Sequence, residues 1–365
     1  MDTRENDSHR SIDHERRRGR GALSNASGRF ERQIREETDD GWESLASLDG
    51  FKTDVREETA RAIITTNDSP DISFDQSINP YRGCEHGCTY CYARPTHAYL
   101  GHSPGLDFET KLYAKTNAAE VLERTLANPR YQVKTIALGS NTDPYQPIER
   151  DRRITRSILE VLSRTNHPVG IVTKSALVVR DLDLLAPMAE RGLVKVALSV
   201  TTLDRTIARA MEPRAATPQR RIDAMRQLSA AGVPTTVMVA PIVPGLTDPE
   251  IEGILGAARD AGATQAGYVV LRLPLELKTL FREWLAAAFP DRAGRVIGLL
   301  QSMHGGRDYV AAFGHRQKGS GPYADQIAQR FRLAARRLGL DQPRPALRCD
   351  GFKPPVLEGG QYQMF

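Results

Sequence analysis

SINPYRGCEHGCTYCYARPTHAYLG, residues 77–101, carries three of the chain's four cysteines within eight positions. Cys84, Cys88 and Cys91 have the spacing C-x3-C-x2-C, directly after a short β-branched run, Ile72–Ile78. Thiolates crowded this closely in a reduced compartment hold a metal or a cluster. Three of them would hold a 4Fe–4S cubane by three irons and leave the fourth iron without a protein ligand. Gly83 and Gly87 let the loop backbone fold tightly around such a group. The alternative is a zinc knuckle, with His86 or the distant Cys349 as fourth ligand. A zinc ribbon normally needs a second paired-cysteine half, and the chain has none. With Cys349 so far from the other three there is no disulfide framework, and the expected compartment is the reducing cytoplasm.

Outward from this segment the chain alternates regularly. Runs rich in β-branched residues recur at Val133–Leu138, Val169–Thr173, Val194–Val200, Thr235–Ala240 and Tyr268–Leu271. Most are continuous apolar runs, which suit strands buried on both faces of a parallel sheet. Between them lie helical stripes: Ile154, Ile158, Leu159 and Leu162; Leu182, Leu185 and Met188; Ile222, Met225 and Leu228; Ile251, Ile254 and Leu255. Six strand–helix units predict an α/β protein, a partial (βα)6 barrel of the TIM type; an open doubly wound sheet has the same periodicity. A barrel gathers its functional groups at the C-terminal ends of its strands. Polar residues stand there: Ser140, Asn141, Thr142 and Asp143; Thr173, Lys174 and Ser175; Ser199, Thr201 and Thr202; then Arg272 and Glu276.

The cysteine segment resembles the radical S-adenosylmethionine (SAM) superfamily. The resemblance implies a 4Fe–4S cluster on Cys84, Cys88 and Cys91, with Tyr90 near the adenine of SAM. In that family SAM chelates the open iron, and one electron from the reduced cluster releases a 5′-deoxyadenosyl radical that abstracts a hydrogen atom. Further strings are similar to one branch, the spore photoproduct lyase and DNA repair photolyase group: GLDFETKLYAK (105–115), ALGSNTDPYQPIE (137–149), VTKSALVVRDLDLL (172–185), SVTTLDRTIARAMEPRAATPQRR (199–221), PIVPGLTD (241–248) and VLRLPLE (270–276). By that likeness Asn141, Asp143, Lys174, Ser199 and Arg214 are the candidates for contacting SAM. Each has a bland alternative: Asn141 and Asp143 as turn caps before Pro144, Lys174 as a solvated cation, Arg214 as a partner of Glu212. The lyases carry a further cysteine near the end of the second strand, where this chain has Ser140 and Asn141. Thymine-dimer cleavage is therefore not inherited with the likeness, and Cys349 would have to reach the site from the tail.

Residues 1–40 hold nine Arg and ten Asp or Glu with few large apolar groups. That composition predicts disorder over 1–45, with Phe30 and Trp42 as docking points. The barrel is expected over 46–290, a helical extension over 291–340 and an extended tail over 341–365. No apolar run is long enough for a transmembrane helix, and the N-terminus lacks a signal-peptide core. The 365 residues carry 50 Lys and Arg against 45 Asp and Glu, a net charge of +5, compatible with a polyanionic partner. Arginine clusters at 16–20, 214–221 and 330–337 and the tyrosines Tyr81, Tyr90, Tyr92 and Tyr99 are the features that bear on nucleic acid. The last five residues, Gln361 to Phe365, are similar to peptides that dock bacterial repair proteins on the replication sliding clamp. These features predict a radical SAM enzyme, lyase- or transferase-like, working on nucleic acid in repair or modification and fed by a one-electron donor of the flavodoxin or ferredoxin type. A peptide or small-molecule substrate, and a non-catalytic iron–sulfur sensor, are the competing readings.

Overall fold

The apolar runs assemble into six parallel strands. They are β1 (Gln76–Ile78), β2 (Ile136–Leu138), β3 (Val169–Thr173), β4 (Val194–Ser199), β5 (Thr235–Ile242) and β6 (Gln265–Val270), hydrogen-bonded in chain order. An antiparallel strand, Ile64–Thr66, caps the outer edge of β1 with Ile64 opposite Ile78. This computed structural model describes residues 12–31, 50–343 and 346–356. Consecutive order without the reversal of a doubly wound sheet is the topology of a partial barrel. The β1 run expected from Ile72 begins only at Gln76, because residues 67–75 form the turn that returns the chain from Ile64–Thr66.

Five helices follow five of the strands: α1 (Ala118–Leu126), α2 (Ile154–Arg164), α3 (Leu182–Glu190), α4 (Pro218–Ala230) and α5 (Ile251–Asp260). Their stripes are buried as the spacing predicts. Ile158, Leu159 and Leu162 of α2, Met225 and Leu228 of α4, and Ile254 and Leu255 of α5 all lie in one core with the strand residues. Residues α6 (Leu277–Ala288) and α7 (Pro290–Ser302) pack over the mouth, where Leu277, Phe281 and Trp284 meet Cys88 and Tyr90. The last helix, α8 (Pro322–Arg337), covers β6 from outside, with the Phe331 ring 4.7 Å from that of Tyr268. The helical extension is thus two separate pieces, joined by turns over 303–321.

The described part of the tail runs across the opposite end of the barrel. Asp341 bridges to Gln265 at the start of β6, the Arg348 amide donates to Gly192 O just before β4, and the Lys353 amide donates to Thr165 O before β3. Cys349, exposed, therefore sits at the N-terminal ends of the strands, away from the other three cysteines. Both roles considered for it, fourth zinc ligand and hydrogen donor at the site, are excluded by that placement.

The N-terminal segment departs furthest from expectation. Of the stretch expected to be disordered, residues 12–31 are packed, with Ile12, Arg20, Ala22, Leu23 and Ser24 buried. Composition misses this because the segment docks largely by backbone and arginine hydrogen bonds, with a small apolar contact of Ile12 and Ala22 on Leu106. Phe30 is exposed but its ring lies 5.2 Å from that of Tyr99, tilted against it; Trp42 and the clamp-like residues Gln361–Phe365 lie outside the described residues.

Candidate cluster and SAM site

The three cysteines occupy the loop at the C-terminal end of β1, and the loop is held by neighbours on every side. The Cys84 amide donates to Phe108 O at 3.0 Å and the Cys91 amide to Cys88 O at 3.3 Å. From the loop after β2, Thr142 Oγ1 donates to Gly83 O at 2.7 Å, and Gln146 accepts from the Glu85 amide at 2.9 Å. Arg94, fully buried, donates from Nε to Cys88 O and from Nη2 to Glu109, an ion pair of 2.6 Å. Gly83 and Gly87 both have positive φ, 76° and 67°, as a tight loop requires. Cys84 and Cys88 are buried and Cys91 half-buried.

Burial pushes all three thiols above their ordinary range. Cys84 is raised further by Asp143 and the other cysteines, and Cys88 reaches about 12 with Glu212 adding to the effect of burial. Such thiols ionise only when a cation takes the proton's place. Among the described residues no three His, Cys, Asp or Glu side chains gather closely enough for a single ion. His86 instead points Nδ1 at Asp143, 3.4 Å away. A three-thiol set spread over one loop fits a multi-iron group better than a lone zinc ion.

Around the loop stand the predicted polar residues, and the geometry separates them. Asp143 accepts from Thr173 Oγ1 at 2.7 Å, from the Lys174 amide at 2.8 Å and from the Tyr145 amide at 2.9 Å. Burial would raise its carboxyl, but His86 and these donors outweigh burial and hold it near about 2. Asp143 thus ties the β2 and β3 ends to His86. Ser199 donates to Ala240 O at 2.7 Å, joining β4 to β5. The Asn141 amide donates to Asn79 Oδ1 at 2.8 Å, and its side-chain amide makes a long contact to Thr96 at 3.4 Å. Lys174 Nζ makes no hydrogen bond or ion pair among the described residues and lies 5.6 Å from the centre of the Tyr90 ring. Arg214 stands apart: its amide donates to His86 O and its guanidinium pairs with Glu85 at 3.2 Å, on the flank that also holds Arg20.

Glu212, named in the sequence only as a possible partner of Arg214, and Arg221, only as part of an arginine cluster, organise the rest. Glu212 forms a fully buried ion pair with Arg221 and accepts from Tyr90 Oη and from Thr201 Oγ1, the latter at 2.7 Å. Arg221 also donates to Ser199 O at 2.9 Å. The alternative Glu212–Arg214 pair does not form: the turn after Met211 carries Arg214 to the cysteine loop, where it pairs with Glu85, while α4 brings Arg221 to Glu212. Tyr92 is exposed beside Cys91, donates to Ser140 O at 2.5 Å and carries the Arg272 guanidinium 5.0 Å over its ring. The tyrosine group therefore splits: Tyr81 and Tyr90 are buried in the protein's own bonds, Tyr92 and Tyr99 face outward. The arginine clusters are largely taken up as well, with Arg221 on Glu212 and Arg330 on Glu252.

A radical SAM family model matches residues 78–258, which span β1 to α5 and the cysteine loop. The chain belongs to the radical SAM superfamily. Its cofactors are a 4Fe–4S cluster and SAM, and its chemistry needs a reductant. An uncharacterised protein of Mycobacterium tuberculosis is 41% identical over 61% of this chain, a match that covers 66% of that relative. An uncharacterised protein of Methanocaldococcus jannaschii is 30% identical over 59% of this chain and 76% of its own length. The fold is that of spore photoproduct lyase. One structure of a variant of that enzyme aligns with a TM-score of 0.56 at 17% identity over 85% of both chains. Another, complexed with dinucleoside spore photoproduct, gives 0.53 at 18% identity over 84% of this chain and 83% of its own. Among the described residues no helix is long and apolar enough to cross a membrane.

Proposed function

We propose that this radical SAM enzyme acts on nucleic acid, with Cys84, Cys88 and Cys91 holding the cluster and SAM lying between Lys174, Tyr90 and Asn141. When bound, the reduced cluster would supply the electron for reductive cleavage of SAM. The observation that supports this reading is the Lys174 ammonium near the three-thiol loop, which lies over the Tyr90 ring and makes no hydrogen bond or ion pair among the described residues, so that it could take the SAM carboxylate. Tyr90, fixed by Glu212, gives a flat wall against the nucleoside. Asp143 and Ser199 act through the backbone: their side chains are committed to neighbouring strand ends and position Lys174 and β5. Arg214 fixes the cluster loop from outside.

For the substrate, exposed Tyr92 with its stacked guanidinium offers a base a platform next to Cys91. The shared fold with a lyase solved on a dinucleoside photoproduct supports the same class. No thiol besides the three cluster cysteines stands at this end, so a product radical would have to be quenched without a cysteine of this chain. A one-electron donor of the flavodoxin or ferredoxin type would reduce the cluster. The test uses reconstituted, dithionite-reduced enzyme with SAM and a deuterated single-stranded oligonucleotide. Deuterium in the released 5′-deoxyadenosine is the expected result. Unlabelled 5′-deoxyadenosine, formed at the same rate without the oligonucleotide, would assign the substrate to another class.

A further inference from the structure

The N-terminal residues that composition marks as loose are bound where the chemistry of the site is most sensitive to solvent. We infer that residues 20–29 form a strap, latched by Glu109, that holds the cysteine loop closed and shields the cluster. The inference rests on the cluster reading above, but its geometry does not.

Glu109 is fully buried and joins the two parts. Its carboxylate accepts from the Gly21 amide at 2.9 Å and from the Ala22 amide at 2.8 Å on the strap. The same group pairs with Arg94, whose Nε holds Cys88 O at 2.9 Å. Arg20 closes the arrangement from the other side, donating to Glu109 O and Phe51 O, both at 3.0 Å, and to Thr53 Oγ1 at 2.9 Å. A single carboxylate thus links the strap to the backbone of a candidate cluster ligand.

The contact is too close for side chains. A Cβ at Gly21 would stand 1.8 Å from Gly87 O, inside the cysteine loop, and one at Gly28 would stand 2.8 Å from His102 O. On the loop side, a Cβ at Gly105 would meet Ser24 O at 2.2 Å. Glycines at these places let backbone lie on backbone. Beyond the latch the strap crosses to the far edge of the barrel: Ser24 donates to Glu283 of α6 at 2.7 Å, and Arg29 pairs with Glu276 after β6 at 2.7 Å. The strap thus ties the segment after β1, through Glu109, to the segment after β6, through Glu276 and Glu283.

The test is Gly21→Ala in the full chain, which should lift the strap while leaving the barrel's own contacts in place; Gly256→Ala, in open space on α5, is the control. Limited trypsin digestion of the apo proteins reads the latch. Cleavage after buried Arg20 should be about tenfold faster in Gly21→Ala, with circular dichroism unchanged. Air bleaching of the reconstituted cluster's visible absorbance should accelerate in the same variant and not in the control. Wild-type cleavage after Arg20 in Gly21→Ala would overturn the latch, and wild-type bleaching with faster cleavage would overturn the shielding. If neither wild type nor variant takes up iron, the cluster reading and the shielding fail together, while the protease pattern still decides the latch.

Discussion

Replacing Arg221 with Met should destabilise the fold and reverse its response to acid. Arg221 and Glu212 side chains are each 1% exposed, so no water replaces the lost guanidinium. Burial raises the Glu212 carboxyl, but Arg221 and then Lys174 outweigh it and hold the group at about 2, below its ordinary 4.5. That difference corresponds to about 3 kcal/mol of stability at neutral pH. Breaking a buried pair by removing one partner costs about 3–5 kcal/mol, which agrees. In the wild type a depressed carboxyl contributes stability that is complete above pH 4.5 and is lost as pH falls through about 2. In Arg221→Met burial prevails, the carboxyl moves above 4.5, and the variant gains stability as acid protonates it. Urea unfolding of the reduced apo protein, followed by circular dichroism at pH 7 and at about pH 5, measures both effects. A loss under about 1 kcal/mol at pH 7, or an unchanged pH slope, would refute the reasoning.

Three further outcomes are expected. Lys174→Met should weaken SAM binding about tenfold in equilibrium dialysis while iron content stays at the wild-type value, since Nζ makes no hydrogen bond or ion pair among the described residues. Asp143→Asn should cost about 1.5–3 kcal/mol in unfolding free energy, because charged acceptors make the stronger hydrogen bonds. It should also remove the acid sensitivity between the ordinary 3.8 and about 2, where the wild-type carboxylate is lost. Cys349→Ser should leave iron content and 5′-deoxyadenosine formation unchanged, because the tail anchors that thiol near Gly192 and Thr165 at the other end of the barrel.

The strands and helix stripes were legible because each is a local pattern: Ile158 and Leu162 declare their face four residues apart, and Val169–Thr173 declares a strand by its β-branched run, although Val172 proves exposed. The cysteine loop was legible for the same reason, all three thiols lying in one short segment. What stayed hidden depends on partners distant in sequence. Glu109 meets Gly21 and Ala22 across more than eighty positions, and no local signal marks a carboxylate as a latch. For Glu212 the sequence suggested, as an alternative, only the nearer arginine, Arg214, whereas the turn and α4 bring Arg221. Asp143 and Ser199 were placed correctly at strand ends, yet their side chains face neighbouring strands, which periodicity does not resolve.

The most direct measurement is the electron paramagnetic resonance spectrum of anaerobically reconstituted, reduced protein before and after SAM is added. A reduced 4Fe–4S signal that changes on adding SAM, and that is lost in Cys84→Ala, Cys88→Ala and Cys91→Ala, is the predicted result. A protein that holds zinc instead, or an iron signal that ignores SAM, would contradict it.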